Sequence, residues 1–193
     1  MQYLIPYFGL DNLRAMIFVD GENLAIRFAS LLRSSTLERQ PDTVYRQDVY
    51  VWSPKLSGRT VESGGMIRAH YYTAVQGDHD TVDEVSAELK AAGIEAPRVF
   101  KKAKGSRSKR VDITLATEML LHATRRNYDI AVLVAGDEDY VPLVEAVQSE
   151  GRGVHLWSIP DGLSPRLVRA VDQYTDISAY LAKPIGELKD DDA

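Results

Sequence analysis

Ile130-Ala131-Val132-Leu133-Val134-Ala135-Gly136-Asp137-Glu138-Asp139-Tyr140 is an apolar run that stops on a glycine and then presents three carboxylates. An unbroken β-branched and aliphatic run reads as a strand covered on both faces, the kind that parallel sheets hold between layers of helices. Ligands of open α/β sheets gather outside the carboxyl ends of such strands, so these acids stand where chemistry is expected. Met16-Ile17-Phe18-Val19-Asp20 repeats the arrangement, an apolar strand ending on an acid and followed by Gly21-Glu22-Asn23. Two acidic strand ends predict one shared metal site.

Working outward, strands and helices alternate, which predicts an α/β fold with a central, mainly parallel sheet flanked by helices in three layers. Leu24 to Arg33 has helical apolar spacing, Met66 to Val75 reads as the second main strand, and Asp78 to Ala92 as a helix burying Val82, Val85 and Leu89 before Gly93. Pro97 to Lys101 is a third strand. The helix expected over Val111 to Arg126 offers Ile113, Ala116, Leu120 and Ala123 as its buried stripe. A helix from Tyr140 to Glu150, a last strand Val154 to Trp157, and short helices over Ser164 to Ala170 and Ile177 to Leu181 close the domain. That single domain is expected over 1–182, with 183–193 as an acidic C-terminal tail. Residues 37–65 hold Pro41, Pro54, Gly58, Gly64 and Gly65 with one short strand at Val49 to Trp52, and read as an insertion. Its Tyr45, Tyr50 and Trp52 either stack unpaired bases or pack the insertion onto the domain.

Charge is unevenly distributed. Lys101, Lys102, Lys104, Arg107, Lys109 and Arg110 fall within ten residues that contain no acid, so the overall −5 less these six leaves −11 on the remainder. With Gly105, Ser106 and Ser108 among them, these cations predict a loop suited to a polyanion, or else a solvated connector. Asp112 follows two residues later, which would lay a bound polyanion against a candidate metal ligand. Cysteine is absent, excluding disulfides, thiolate catalysis and cysteine-ligated zinc. The N-terminus lacks a basic n-region, and no segment approaches the ~20 apolar residues of a membrane span, so a cytoplasmic location is expected. Oligomeric state is not readable, though a homo-oligomer is compatible.

Each acid also has a structural reading. Asp112 stands in the first turn of its helix, where the dipole is expected to keep it ionised. Asp139 is placed to N-cap the helix starting at Tyr140, and Asp137 to close the Gly136 turn. Asp20 has fewer such roles. A cluster of three or four acids is too repulsive to stay charged without a cation, and carboxylate oxygens with retained waters suit magnesium or manganese. Such an ion activates water and stabilises charge developing on a phosphate oxygen, which is phosphodiester hydrolysis. Zinc is disfavoured because His70, His79, His122 and His155 show no paired ligand spacing.

Phe18-Val19-Asp20-Gly21-Glu22-Asn23-Leu24, Lys109-Arg110-Val111-Asp112-Ile113-Thr114-Leu115 and Gly136-Asp137-Glu138-Asp139-Tyr140-Val141-Pro142-Leu143 together resemble the three motifs of NYN domains, in their LabA-like branch, within the PIN-like nucleases. The likeness runs from about Met16 to Trp157 and includes Leu163-Ser164-Pro165. It implies a Rossmannoid, PIN-like fold and a magnesium- or manganese-dependent ribonuclease whose catalytic and metal-binding acids match Asp20, Asp112, Asp137 and Asp139. Asn23 matches the polar residue of the first motif, a contact to substrate or to the ligands, and RNA is the implied partner, held by the basic segment. Two positions depart from the pattern: Glu138 stands where a small residue is usual, and Tyr140 where phenylalanine is. The competing functions are an RNA- or protein-binding NYN module with little turnover, and a small-molecule metal-dependent phosphatase. A receiver-like phosphatase is disfavoured by Ser158 at a strand end where a lysine would stand, and nucleotide-binding Rossmann enzymes by the lack of a Gly-x-Gly-x-x-Gly or Walker loop.

Overall fold

The apolar run of β1 (Ala15–Asp20) is buried over its last five residues and forms the middle of a six-stranded sheet. The computed structural model describes residues 13–34, 36–57, 65–103 and 109–185, and of residues 66, 67 and 109 the backbone alone. Lys104 and Arg107 of the basic segment, and the side chain of Lys109, lie outside the described residues, as does the tail beyond 185. From β1 the chain enters α1 (Gly21–Ser34), then β2 (Leu37–Arg39), β3 (Val44–Arg46), β4 (Tyr50–Trp52) and β5 (Met66–Val75). It continues through α2 (His79–Ala91), β6 (Ala96–Lys101), α3 (Lys109–Thr124) and β7 (Ile130–Val134). A 3-10 helix (Glu138–Tyr140), α4 (Val141–Ser149), β8 (Gly153–Ser158), α5 (Pro165–Ala170), β9 (Gln173–Asp176), α6 (Ser178–Leu181) and β10 (Ala182–Pro184) complete it.

Every ladder of the main sheet is parallel, in the order β6-β5-β1-β7-β8-β9. The chain first builds outward from β1 through β5 to β6, then returns to the other side of β1 for β7. The switch point therefore lies between β1 and β7, whose carboxyl ends open the crevice in which such sheets bind ligands. Alternation along β1 divides the core: Ile17 and Val19 pack with α1, α2 and the β3–β4 hairpin, while Met16 and Phe18 pack with α3, α4 and α5. Asp20 has the parity of Met16 and Phe18, which turns it toward the α3 side. This is the expected three-layer α/β arrangement.

The differences from expectation have physical reasons. The sheet has a sixth strand beyond β8; β9 is an edge strand whose Gln173-Tyr174-Thr175-Asp176 carries no apolar run. Segment 37–65 contributes three strands instead of one, β3 and β4 as a hairpin and β2 paired with β10, which draws Lys183 and Pro184 into a ladder. The hairpin is fastened by the buried Tyr71 hydroxyl, which donates to the Val51 carbonyl and accepts from the Val51 N–H, each at 3.0 Å. Tyr50 and Trp52 are buried and Tyr45 sits edge-on to Phe28 with ring centres 5.1 Å apart, so these aromatics pack the insertion instead of offering faces to bases. In α3 the buried stripe is Val111, Leu115, Met119 and Ala123; Ile113 is 65% exposed, because the face spaced four residues apart from Val111 is the one turned to the sheet. No helix among the described residues is long and apolar enough to cross a membrane.

Candidate active site

A cavity of about 320 Å³ opens at the switch point, and Asp20, Glu22, Asp112 and Asp137 line it together with Asn23, Arg27 and Gly162. Three separate elements deliver the acids: the end of β1, the first turn of α3 and the turn after β7. Asp20 is at the bottom, 4% exposed. Its Oδ1 accepts the Asn23 backbone N–H at 3.1 Å, so it caps α1, and its Oδ2 accepts the Tyr140 hydroxyl at 2.9 Å. Burial raises its pKa to about 7 despite those two bonds, with the charges of Asp112 and Asp137 pushing the same way. Tyr140 also comes within 3.4 Å of Asp112 Oδ1, placing one phenolic hydrogen between two carboxylates.

Asp112 stands in the first turn of α3. Its pKa is raised, first by loss of solvation and then by Glu22, Asp137 and Asp139, with the Tyr140 hydroxyl opposing. The acids of the third motif do not act as caps: Asp137 and Tyr140 occupy the N-cap positions of the 3-10 helix and of α4 without side-chain capping bonds. Asp139 is exposed and outside the cavity lining, though its charge is felt at Asp112. Glu138 turns away toward Arg166, 3.8 Å distant.

Asp137, half exposed, owes its position to a residue that sequence reasoning missed. The Arg27 guanidinium, only 8% exposed, donates from Nη2 to Asp137 Oδ1 at 3.1 Å, from Nη1 to the Asp161 carbonyl at 2.6 Å and from Nε to Asn23 Oδ1 at 2.7 Å. It lies so close over Gly136 that a Cβ there would overlap it, which explains the glycine between strand and acids. Gly162, at φ +69°, completes the cradle from the opposite loop. The readable signal was an arginine between Ile26 and Phe28 on the buried side of α1, since a buried guanidinium must be paired. Asn23 thus holds Asp20 through its backbone and Arg27 through its side chain.

The basic residues are divided. Lys102 forms a largely buried ion pair with Glu22, Lys101 is exposed, and Arg110 stands over the Phe100 ring, 5.8 Å from its centre. None of the four histidines lines the cavity; His70 is buried against Phe18 and Tyr72 with its pKa lowered to about 4 by burial.

Among the described residues no three acids or histidines converge closely enough to form a finished metal cage. The donors are nevertheless all oxygens, and a buried carboxyl held near pKa 7 by desolvation and neighbouring charge is one that a cation would relieve. This set fits a hard ion that keeps several of its waters, and Asp20, Asp112 and Asp137 would hold it.

Comparison with solved structures finds the crystal structure of a protein of unknown function from Vibrio parahaemolyticus RIMD 2210633, with a TM-score of 0.66 at 18% identity over 89% of this chain and 97% of that one, which establishes the likeness of fold. No curated protein matches. The NYN domain matches residues 14–178, a span that contains every strand of the main sheet and every acid of the cavity, and the chain belongs to the NYN domain family.

Proposed function

We propose that this NYN domain, of the LabA-like branch and PIN-like in fold, is a magnesium- or manganese-dependent ribonuclease that hydrolyses RNA phosphodiester bonds at Asp20, Asp112 and Asp137, with Asp139 adding negative charge at the rim. The observation that carries the reading is the convergence of carboxylates from β1, α3 and the β7 turn on one cavity at the switch point, where Asp137 makes no capping bond to its own helix. NYN domains are nuclease-like as a family, which agrees with this chemistry.

A bound divalent ion supplies charge neutralisation and Lewis-acid stabilisation of the phosphate oxygens. The chain's own residues do the positioning. Asn23 and Tyr140 fix both oxygens of Asp20, Arg27 fixes one oxygen of Asp137, and α3 brings Asp112 to the same cavity. Lys101 and Arg110, with Lys104, Arg107 and Lys109 of the same segment, supply the phosphate attraction that an acidic cavity lacks.

The test is cleavage of labelled RNA by purified protein in manganese under single-turnover conditions. Wild type should cut, chelator should stop it, and Asp112→Asn should lower the rate on the order of 100-fold while leaving RNA affinity within a few-fold. RNA bound but never cut by wild type would replace the reading with that of a binding module, and cleavage by Asp112→Asn near the wild-type rate would remove Asp112 from the site.

A further inference from the structure

The cavity extends beyond its acids. Asn23, Ile26, Arg27 and Ser30 of α1 line one wall, a single helical face that runs about 10 Å away from Asp20. This wall differs from the rest of the lining, which carries Asp20, Glu22, Asp112, Asp137 and Asp161: Arg27 is the only cation among the lining residues. Ile26 is 46% exposed although apolar. No described residue hydrogen-bonds the Ser30 hydroxyl.

Arg27 itself is incompletely used. A guanidinium has five N–H donors in a fixed fork. Its three bonds, to Asn23, Asp137 and Asp161, leave one hydrogen on each terminal nitrogen without a partner in the described structure. The group cannot swing to find others, because those bonds and the backbone of Gly136 hold it in place. A planar, immobile fork with two open donors at a cavity wall matches a phosphate.

We propose that Arg27 and Ser30 form a phosphate subsite beside the carboxylates, taking the non-scissile phosphate of the neighbouring nucleotide in a nucleic-acid strand, with Ile26 against that nucleotide's sugar or base. The proposal rests on the ribonuclease reading and deepens it. A strand with one negative charge per nucleotide is repelled by a wall of five carboxylates except where a cation stands. The metal supplies one such point and Arg27 the other, so two successive phosphates set the register of the strand, and a ligand with a single phosphate cannot use both.

Titrating the Asp112→Asn protein, in manganese, with the dinucleotides UpU, pUpU and UpUp tests this. One of the two phosphorylated dinucleotides should bind at least about tenfold tighter than UpU, the value of a charge-assisted hydrogen bond. Adding Arg27→Gln should bring that ratio to within about twofold of one, and adding Ser30→Ala should reduce it about threefold. A merely structural Arg27 would weaken all three ligands together and leave the ratio unchanged, which would overturn the subsite. So would a ratio near one before any substitution in α1. Should Arg27→Gln fail to fold, Ser30→Ala decides, and an unmoved ratio there rejects the proposal. Wild-type protein that cuts long RNA while the ratio stays flat loses the subsite alone; protein that neither binds nor cuts RNA loses the ribonuclease reading and the subsite with it.

Discussion

The carboxyl group of Asp20 serves the fold through one oxygen, which caps α1, and the cavity through the other, which takes the Tyr140 hydroxyl. Its position has a pH signature. The folded-state pKa of about 7 stands above the usual carboxylate value of about 3.9, so the folded chain holds a proton that the unfolded chain has released. The stability tied to that proton is complete below about pH 4 and is lost as pH rises through about 7. Metal-free wild type should therefore lose up to about 3 kcal/mol between pH 5 and pH 8 that Asp20→Asn does not lose, measured by urea denaturation; parallel profiles would mean that Asp20 titrates normally. Tyr140 acts on the same group. Its hydrogen bond lowers the Asp20 pKa, so Tyr140→Phe should raise it further, cost about 1–3 kcal/mol at pH 8 and less at pH 5, and move the midpoint of manganese binding to higher pH. Equal cost at both pH values would show that the ring, not the hydroxyl, is what the site needs.

Among elements, α3 and the basic segment before it would, on the proposed reading, link substrate holding to chemistry. The segment's entry is anchored where Lys102 meets Glu22 of the cavity lining, and its exit is the turn that carries Asp112. The two ends need not act alike: Lys102 is largely buried in its ion pair, whereas Lys101 is open to solvent. Replacing Lys101, Lys104, Arg107, Lys109 and Arg110 by glutamine should weaken RNA binding and flatten the slope of log affinity against log salt by up to about 0.7 per lost phosphate contact on a single strand. The manganese-induced rise in melting temperature should persist. An unchanged slope would make the segment a solvated connector. The aromatics of β3 and β4 contribute to none of this, since they are used in packing.

For the whole molecule, binding of a cation to native but not unfolded protein should raise the melting temperature by mass action, most visibly above pH 7 where Asp20 is ionised. Calorimetry in millimolar manganese checks it, and an equal shift in Asp20→Asn/Asp137→Asn would place any bound metal elsewhere. The main frame was legible because Ile130 to Ala135 and Met16 to Val19 are short unbroken apolar runs, rich in β-branched residues, that suit a strand covered on both faces, and the acids follow them directly. β9 was not legible, because an edge strand needs no apolar pattern, and the α3 stripe was misread because Ile113 and Val111 both fit a helical period. Arg27 could be suspected only from its place on the buried side of α1, because its partners Asp137 and Asp161 are more than a hundred residues away and no local spacing names them. That distance also sets a timetable. The cavity draws on residues 20 through 162, and during synthesis Asp20 emerges long before the Asp161–Gly162 loop that braces Arg27. A chain only partly made has its first acid but neither the third nor the brace, so the centre stays unassembled until β8 and the turn beyond it are in place.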